Sequence, residues 1–196
     1  MTNGSPGSMK RAFVVGAILL SVAAPPLQAK ELAGVTMADR VVIGGKDCSL
    51  VGMGVRTRFF FKIYVGGLYM AGPSGDERVV ISSDQPKRLI LHFVHSKVEK
   101  ERLVDAWRDG FEKNSGPQLA ALKSRIDRFN SFFDNDVNSG EEAVITYVPG
   151  AGTEVVFRGG SKGIIEGKDF MEALFRIWFG EKPADAGLKK GLLGQL

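Results

Sequence analysis

Few side chains in this sequence belong to the types that carry out catalysis or bind metal ions. The 196 residues include one cysteine, Cys48, and two histidines, His92 and His95. A single thiol forms no internal disulfide bond and cannot build a cysteine-based zinc site. The two histidines also lack the HExxH spacing of zinc-dependent hydrolases. We therefore predict no metal site and no cofactor, and we interpret Cys48 as a packing residue.

The remaining candidates are an arginine and a tyrosine, Arg56 and Tyr64. A guanidinium group offers paired donors that match a carboxylate, and a phenol can donate a further hydrogen bond to the same oxygen. In one straight strand the two residues would lie about 26 Å apart, because a strand rises about 3.3 Å per residue. A shared site therefore requires a chain reversal near Phe59–Phe61, where typical turn residues are absent. The alternative is that Arg56 pairs with an exposed acid at a strand edge.

A sheet and several helices are expected to position these residues. Alternating or β-branched stretches predict strands over 35–43, 49–55, 56–70 with a kink at Gly66–Gly67, 78–81, 88–94, 143–148, 153–158 and 164–165. Apolar residues at helical spacing predict helices from Ser96, from about Pro117, from Asp169 and from near Pro183. Ser96 and Glu99 fit a capping box. Hairpin connections favour an antiparallel sheet, so the predicted fold is α+β: an open-faced β-sandwich, a large antiparallel sheet with a helical layer on one face.

The first 29 residues differ in composition from the rest. Residues 1–8 are rich in glycine and serine, and Met9 is a candidate start. Lys10 and Arg11 precede an apolar run over 12–24, and Ala29 is a small residue beyond it. This order is typical of a cleavable secretory signal, and the run is shorter than the ~20 residues that span a bilayer. We predict an N-terminal extension and signal peptide over 1–29, one mature domain over 30–196, and a periplasmic location without stable membrane insertion. The alternatives are an uncleaved anchor and an artificial tag.

Charge and composition narrow the possible partners. The formal net charge is +4, and it falls by two when the two basic residues of the predicted signal are removed. The weak basic balance that remains, with no basic run interleaved with aromatics, argues against a nucleic-acid partner. A hydrophobic content of 44% is typical of a globular domain.

Three stretches carry a resemblance. They are GMGVRTRFFFKIYVGGLYM at 52–70, VEKERLVDAWRDGFEKN at 98–114 after the strand LILHFVH, and FMEALFRIWFGEKPADAGLKKGLLG at 170–194. Together they resemble the chalcone isomerase-like family, in particular its bacterial exported branch, over nearly all of 31–196. The resemblance implies an open-faced sandwich with a ligand cleft between sheet and helices.

The resemblance also implies site residues. Enzymatic members of the family close a flavanone ring, whereas other members bind fatty acids, and in both an arginine on an early strand faces the ligand. That arginine matches Arg56, and two further site positions match Tyr64 and Tyr69. The enzymes also use a tyrosine and an asparagine that match His95 and Arg102 here. Because neither residue is kept, flavanone-forming chemistry is disfavoured, although His95 could still donate a proton.

These observations leave three hypotheses. The leading one is a non-catalytic exported protein that binds a fatty acid or similar apolar carboxylate through Arg56, Tyr64 and Tyr69. The alternative is an isomerase or intramolecular lyase acting on an α,β-unsaturated carbonyl compound, with Tyr64 or His95 as the acid. The third is a structural or regulatory partner without a small ligand. A long narrow apolar tunnel would favour the first, a wide flat pocket with several polar groups the second, and a filled core with no cavity the third.

Overall fold

The structure is a computed structural model that describes residues 1–2, 4 and 28–196. Almost all of the predicted signal peptide therefore lies outside the described residues. Ala29 is the first residue of a strand and pairs with Ala38. Within 28–196, no helix has both the length and the apolar character needed to cross a membrane.

A seven-stranded antiparallel sheet forms the centre of the molecule, with the strand order β11-β10-β9-β6-β5-β4-β3. The strands are β1 Ala29–Leu32, β2 Val35–Ala38, β3 Arg40–Ile43, β4 Lys46–Arg58, β5 Phe61–Met70, β6 Lys87–Phe93, β7 Lys97–Val98, β8 Val137–Asn138, β9 Glu142–Val148, β10 Gly152–Phe157 and β11 Gly160–Ile165. Two short ribbons, β1–β2 and β7–β8, lie outside the main sheet. Successive residues of a strand point to opposite faces, and the two faces of this sheet bury different sets of side chains.

Helices cover one face of the sheet. They are α1 Glu77–Ser82, α2 Lys100–Ser115, α3 Leu119–Ser131 after a short 3-10 turn, α4 Lys168–Phe179 and α5 Ala186–Leu192. The apolar side of α4 is buried between the sheet and the other helices, and it supplies many of the largest core side chains. A smaller core on the opposite face joins the β1–β2 ribbon to β4 and β5. The predicted α+β architecture is confirmed.

Two local predictions were wrong. The stretch 78–81 is not a strand but part of α1, whose N-terminus is capped by the Asp76 carboxylate accepting from the backbone N of Arg78 at 2.8 Å. The helix predicted from Ser96 begins at Lys100 instead, and the Glu99 side chain makes no capping bond. The residues between, Lys97–Val98, are extended as β7 and pair with β8.

The prediction of one extended segment over 56–70 was also wrong. The chain reverses at Phe59–Phe60, so that β4 and β5 form a hairpin. Phe59 adopts the left-handed conformation with φ 56°, a region that hairpin turns need and that glycine or asparagine usually occupies. The reversal supplies the geometry that a shared Arg56–Tyr64 site requires.

Glycines in β4 allow α5 to lie directly on the hairpin. A Cβ on Gly54 would stand 2.5 Å from the Leu188 O, and one on Gly52 would stand 2.6 Å from the Gly194 N. Both distances are shorter than any real Cβ contact, so only glycine permits this approach. The C-terminal helix thereby seals one end of the hairpin and leaves the other end open.

Candidate functional site

Arg56 and Tyr64 stand directly opposite each other at the open end of the hairpin. Beside them the β4–β5 register shifts by one residue, and Ile63 is the extra residue on β5. A bulge of this kind re-aims side chains near functional sites. Here it allows both Ile63 and Tyr64 to line the same cavity.

The cavity lies between the hairpin and the first half of α2, and its volume is about 350 Å³. This is near the lower limit of the ~300–1,000 Å³ range of small-molecule sites. Its lining residues are Arg56, Arg58, Ile63, Tyr64, His95, Lys97, Val98, Glu99, Arg102, Leu103 and Ala106. The lining thus joins an apolar floor to a mainly cationic rim, an arrangement that suits an amphiphilic anion.

Arg56 faces the cavity without a carboxylate partner among the described residues, since none of their acids lies within 4.0 Å of it. The alternative of a strand-edge ion pair is therefore not seen within 28–196. Its guanidinium carbon lies 5.6 Å from the centroid of the Tyr64 ring, within the range of a cation–π contact. The guanidinium is held close to the phenol with its hydrogen-bond donors available.

Tyr64 is fully buried, and its hydroxyl oxygen accepts a hydrogen bond from the Trp178 Nε1 at 3.0 Å. Its ring also packs edge-on against Phe93 with centroids 5.5 Å apart. An indole nitrogen only donates, whereas a phenol both donates and accepts. Among residues 28–196 no group accepts the phenolic proton of Tyr64 in return.

The two histidines have different surroundings. His95 lies before α2, lines the cavity and packs edge-on against Phe61 with ring centroids 5.6 Å apart. His92 lies away from the cavity, with Nδ1 2.9 Å from the Glu142 Oε1. Of the two, only His95 is placed to act on a molecule in the cavity.

Tyr69 does not join this site, which corrects the prediction that it shares a ligand with Arg56 and Tyr64. An odd number of positions separates it from Tyr64 on β5, so the pleat turns its side chain to the opposite face of the sheet. There it is buried in the smaller core, and its hydroxyl donates to the Ala38 O at 2.8 Å. Burial raises its pKa. The role of Tyr69 is to attach the β1–β2 ribbon to the sheet.

Two cations at the rim are already paired. Lys97 Nζ lies 2.8 Å from the Asp136 Oδ2, and the bond to that carboxylate raises the pKa of Lys97. Arg102 Nε donates to the Glu99 Oε2 at 2.8 Å. Arg102, which the family resemblance matches to an asparagine of the enzymes, is thus engaged with the acid that immediately precedes its helix. The unpaired cations among the described rim residues are Arg56 and Arg58.

Several lining residues were not predicted from the sequence to bind a ligand. Arg58 follows Arg56 by two positions on β4, a spacing that places both on one face of a strand. Glu99, Arg102, Leu103 and Ala106 have the spacing of one helical face. The sequence shows both spacings. It does not show that the hairpin lies opposite this face of α2, so that the two together line a cavity.

The space behind the cavity is filled. Between the sheet and the helices lie fully buried aromatic residues that contact one another in series: Trp107, Phe111, Phe129, Phe170 and Trp178. A second cavity of about 360 Å³ adjoins the first across Arg56, Arg58, Arg102 and Ala106, but its other walls include Asp105, Asp109, Lys113 and Lys182. The long apolar tunnel expected of a fatty-acid binder is therefore not seen among the described residues, and the space that remains is the cavity of about 350 Å³ with its apolar floor and polar rim. In the same part of the chain no group of three or more His, Cys, Asp or Glu side chains is placed to hold a metal ion.

Comparison with known proteins assigns the chain to a family. The profile described as chalcone isomerase-like matches residues 29–194. The chain belongs to the chalcone isomerase-like family. A similar solved structure is the crystal structure of a fatty-acid binding protein of Arabidopsis thaliana, with a TM-score of 0.66 and 14% sequence identity over 85% of this chain and 96% of that chain. At this level of identity the similarity shows that the two chains share a fold. No curated protein matches the sequence.

Proposed function

We propose that this chalcone isomerase-like protein is an exported binding protein for a fatty acid or similar apolar carboxylate. The observation that carries the proposal is the pairing of Arg56 with Tyr64 across the hairpin at the cavity. Arg56 would supply two parallel donors to the carboxylate. Tyr64 would add its free proton, and Trp178 would keep the phenol oriented. The similarity to a plant fatty-acid binding protein supports the same ligand class.

The tail would lie on the apolar part of the lining, which consists of Ile63, Val98, Leu103 and Ala106. Because the aromatic core closes the space behind them, the cavity favours an acid of short to medium chain length over a long one. Each buried methylene contributes about 0.8 kcal/mol, which is roughly a fourfold gain in affinity. Affinity should therefore rise with chain length and then level off once the tail reaches the polar second cavity.

Export is the second part of the proposal, and it is supported by the charged and apolar pattern of Lys10 to Ala29. Expressed with its own leader, the protein should be recovered from the periplasm with its N-terminus at or near Lys30. N-terminal sequencing and intact mass measure this. Full-length protein confined to the cytosol would contradict it.

Calorimetric titration of a series of saturated fatty acids tests the ligand site. Arg56→Ala should weaken binding by about 2–5 kcal/mol, or about 30-fold or more, because the carboxylate loses its charged partner. Arg56→Lys should recover part of the loss, since an ammonium group cannot form two parallel bonds. The melting temperature should change little, because Arg56 has no described ion pair to lose.

Arg108→Ala is the matched control, since Arg108 lies on α2 outside the cavity lining. It should bind the acids like the wild type. Equal affinity in Arg56→Ala, or a large fall in its melting temperature without an effect on binding, would assign Arg56 a structural role and end the proposal.

A second candidate function is an isomerase or intramolecular lyase acting on an α,β-unsaturated carbonyl compound. The observation that favours it is the presence of His95 in the same cavity as Arg56 and Tyr64. Arg56 would then hold an anionic oxygen, and Tyr64 or His95 would transfer the proton. The test is cyclisation of a chalcone: a saturable rate above buffer that His95→Gln abolishes would favour the enzyme over the binding protein.

A further inference from the structure

The tip of the β4–β5 hairpin consists of three consecutive phenylalanines that point into solvent. Phe59 is 83% exposed, Phe60 97% and Phe61 61%. Single exposed apolar residues are ordinary, but adjacent large ones mark an interaction surface. Phe59 also occupies a left-handed turn position that suits glycine or asparagine better. Folding of the hairpin therefore does not account for aromatic residues at its tip.

Unpaired cations stand directly behind these rings. Arg56, Arg58 and Lys62 belong to the hairpin, and no described carboxylate lies within 4.0 Å of any of them. The Arg58 guanidinium carbon lies 5.9 Å from the centroid of the Phe59 ring. By contrast, two cations on the opposite side of the cavity are paired, Lys97 with Asp136 and Arg102 with Glu99. The hairpin thus presents an aromatic tip with a positively charged collar.

We propose that this hairpin docks on the surface of an anionic lipid bilayer, with the rings at interfacial depth and the collar on the lipid phosphates. Apolar side chains and basic residues bind such surfaces together, the first by burial and the second by attraction to anionic lipid. Asp185 is an acid that contacts the open half of the hairpin, since its Oδ2 accepts from the Thr57 backbone N at 3.1 Å. The same carboxylate caps the N-terminus of α5 by accepting from the Leu188 N. It is therefore held at the helix and does not pair with the cations of the collar.

The shape of the surface favours a bilayer over a protein. A tip of three side chains is far narrower than the roughly 20–30 residues per side of a stable protein interface. Docking would also bring the cavity to the lipid surface, because Phe61 packs against His95, which lines the cavity. A ligand leaving the bilayer could then enter the cavity without crossing water. The docking itself does not depend on the proposed carboxylate site.

Sedimentation with lipid vesicles tests the proposal. The purified protein is mixed with vesicles of phosphatidylcholine and phosphatidylglycerol, and with vesicles of phosphatidylcholine alone. It should bind the anionic vesicles more tightly, and added salt should weaken that binding. The Phe59→Ser/Phe60→Ser double variant should bind at least about tenfold more weakly. Arg58→Ser and Lys62→Ser should each weaken binding about fivefold.

Val42→Ser is the matched control, because Val42 is 64% exposed and pairs with Asp47 at the opposite end of β4. It should bind vesicles like the wild type. Intact mass fixes the N-terminus of every preparation, so any N-terminal segment contributes equally to each comparison. The double variant should still bind fatty acid in solution, which separates failure of docking from failure of the ligand site.

Three results would overturn the proposal. The first is equal vesicle binding by the double variant and the wild type, and the second is equal binding to neutral and anionic vesicles. The third is the absence of vesicle binding together with a concentration-dependent dimer that the double variant abolishes. That last result would assign the tip to a second copy of the chain.

Discussion

The two ends of the β4–β5 hairpin differ in what lies on them. At the closed end Gly52 and Gly54 accept the backbone of the C-terminal segment, and α5 seals the sheet. At the open end Arg56 and Tyr64 follow, and a solvent-accessible cavity takes the place of the helix. The N-terminus of α5 marks the border, where Asp185 binds the Thr57 backbone N. On β4, the glycines Gly52 and Gly54 leave room for a helix to pack directly on the strand. The side chain of Arg56 further along the strand leaves no such room.

Two cations make the same contrast. Lys87, paired in register with Met70 at the closed end, is fully buried, and its Nζ donates to the Val80 O at 2.6 Å and the Ser83 O at 2.8 Å. These carbonyls belong to α1 and its C-terminal cap, so the lysine satisfies the free carbonyls of that helix end. Arg56 at the open end has no such partners within residues 28–196. One cation completes the fold, whereas the other remains available to a ligand.

The largest expected effect is at the closed end. Gly52→Ala should lower the free energy of unfolding by about 3 kcal/mol, because the new methyl group overlaps backbone atoms that cannot move aside. Chemical denaturation measures this. Gly160→Ala is the control: a Cβ there would make an ordinary 3.7 Å contact with the Phe157 O, and stability should stay within about 0.5 kcal/mol. Equal effects of the two substitutions would remove the steric reason for the closed end.

At the open end, Tyr64→Phe should cost about 2 kcal/mol of folding stability. The change leaves the buried Trp178 Nε1 without its acceptor, and an unsatisfied buried donor costs about 1–3 kcal/mol. Trp178→Phe should cost less in the Tyr64→Phe background than in the wild type, since there it also removes the orphaned donor. Additive effects in the double variant would show that the hydrogen bond contributes nothing to folding.

The smallest expected effect is the pH dependence of folding stability that the buried Lys87 produces. Burial, with a further contribution from the charge of Lys168, lowers the pKa of Lys87 to about 8 from 10.5. Between these values the unfolded chain binds more protons than the folded one, so stability rises with pH across that window. From about pH 7.5 to 9 the wild type should gain about 1 kcal/mol relative to Lys87→Met. Lys62→Met, at an exposed position, is the control, and parallel curves for wild type and Lys87→Met would refute the assignment.

The sequence predicted most of the framework, because alternation and helical spacing report burial directly. The alternating pattern over 88–94 corresponds to β6, and the helix predicted from Asp169 corresponds to α4. Two of the wrong predictions have a clear local reason. The reversal at Phe59–Phe60 lacks the glycine or asparagine by which such turns are recognised, and 78–81 is a short apolar run for which periodicity cannot separate helix from strand.

The candidate site was predicted in part. The family resemblance named Arg56 and Tyr64, and the hairpin brings them together. Tyr69 was misplaced although its odd spacing from Tyr64 already indicated the opposite face of the strand. The bond between Tyr64 and Trp178 joins residues 114 positions apart. Such a contact depends on how α4 packs on the sheet, which local patterns do not encode.

That bond gives the cavity an optical consequence. Indole emission responds to the hydrogen bond that its N–H donates. The acceptor here is the Tyr64 hydroxyl oxygen, and the same hydroxyl would donate a hydrogen bond to a bound carboxylate. The Trp107 ring lies 5.4 Å from that of Trp178, so both indoles share one environment. Filling of the cavity should therefore change the intrinsic fluorescence of the protein, and ligands can be screened without any label.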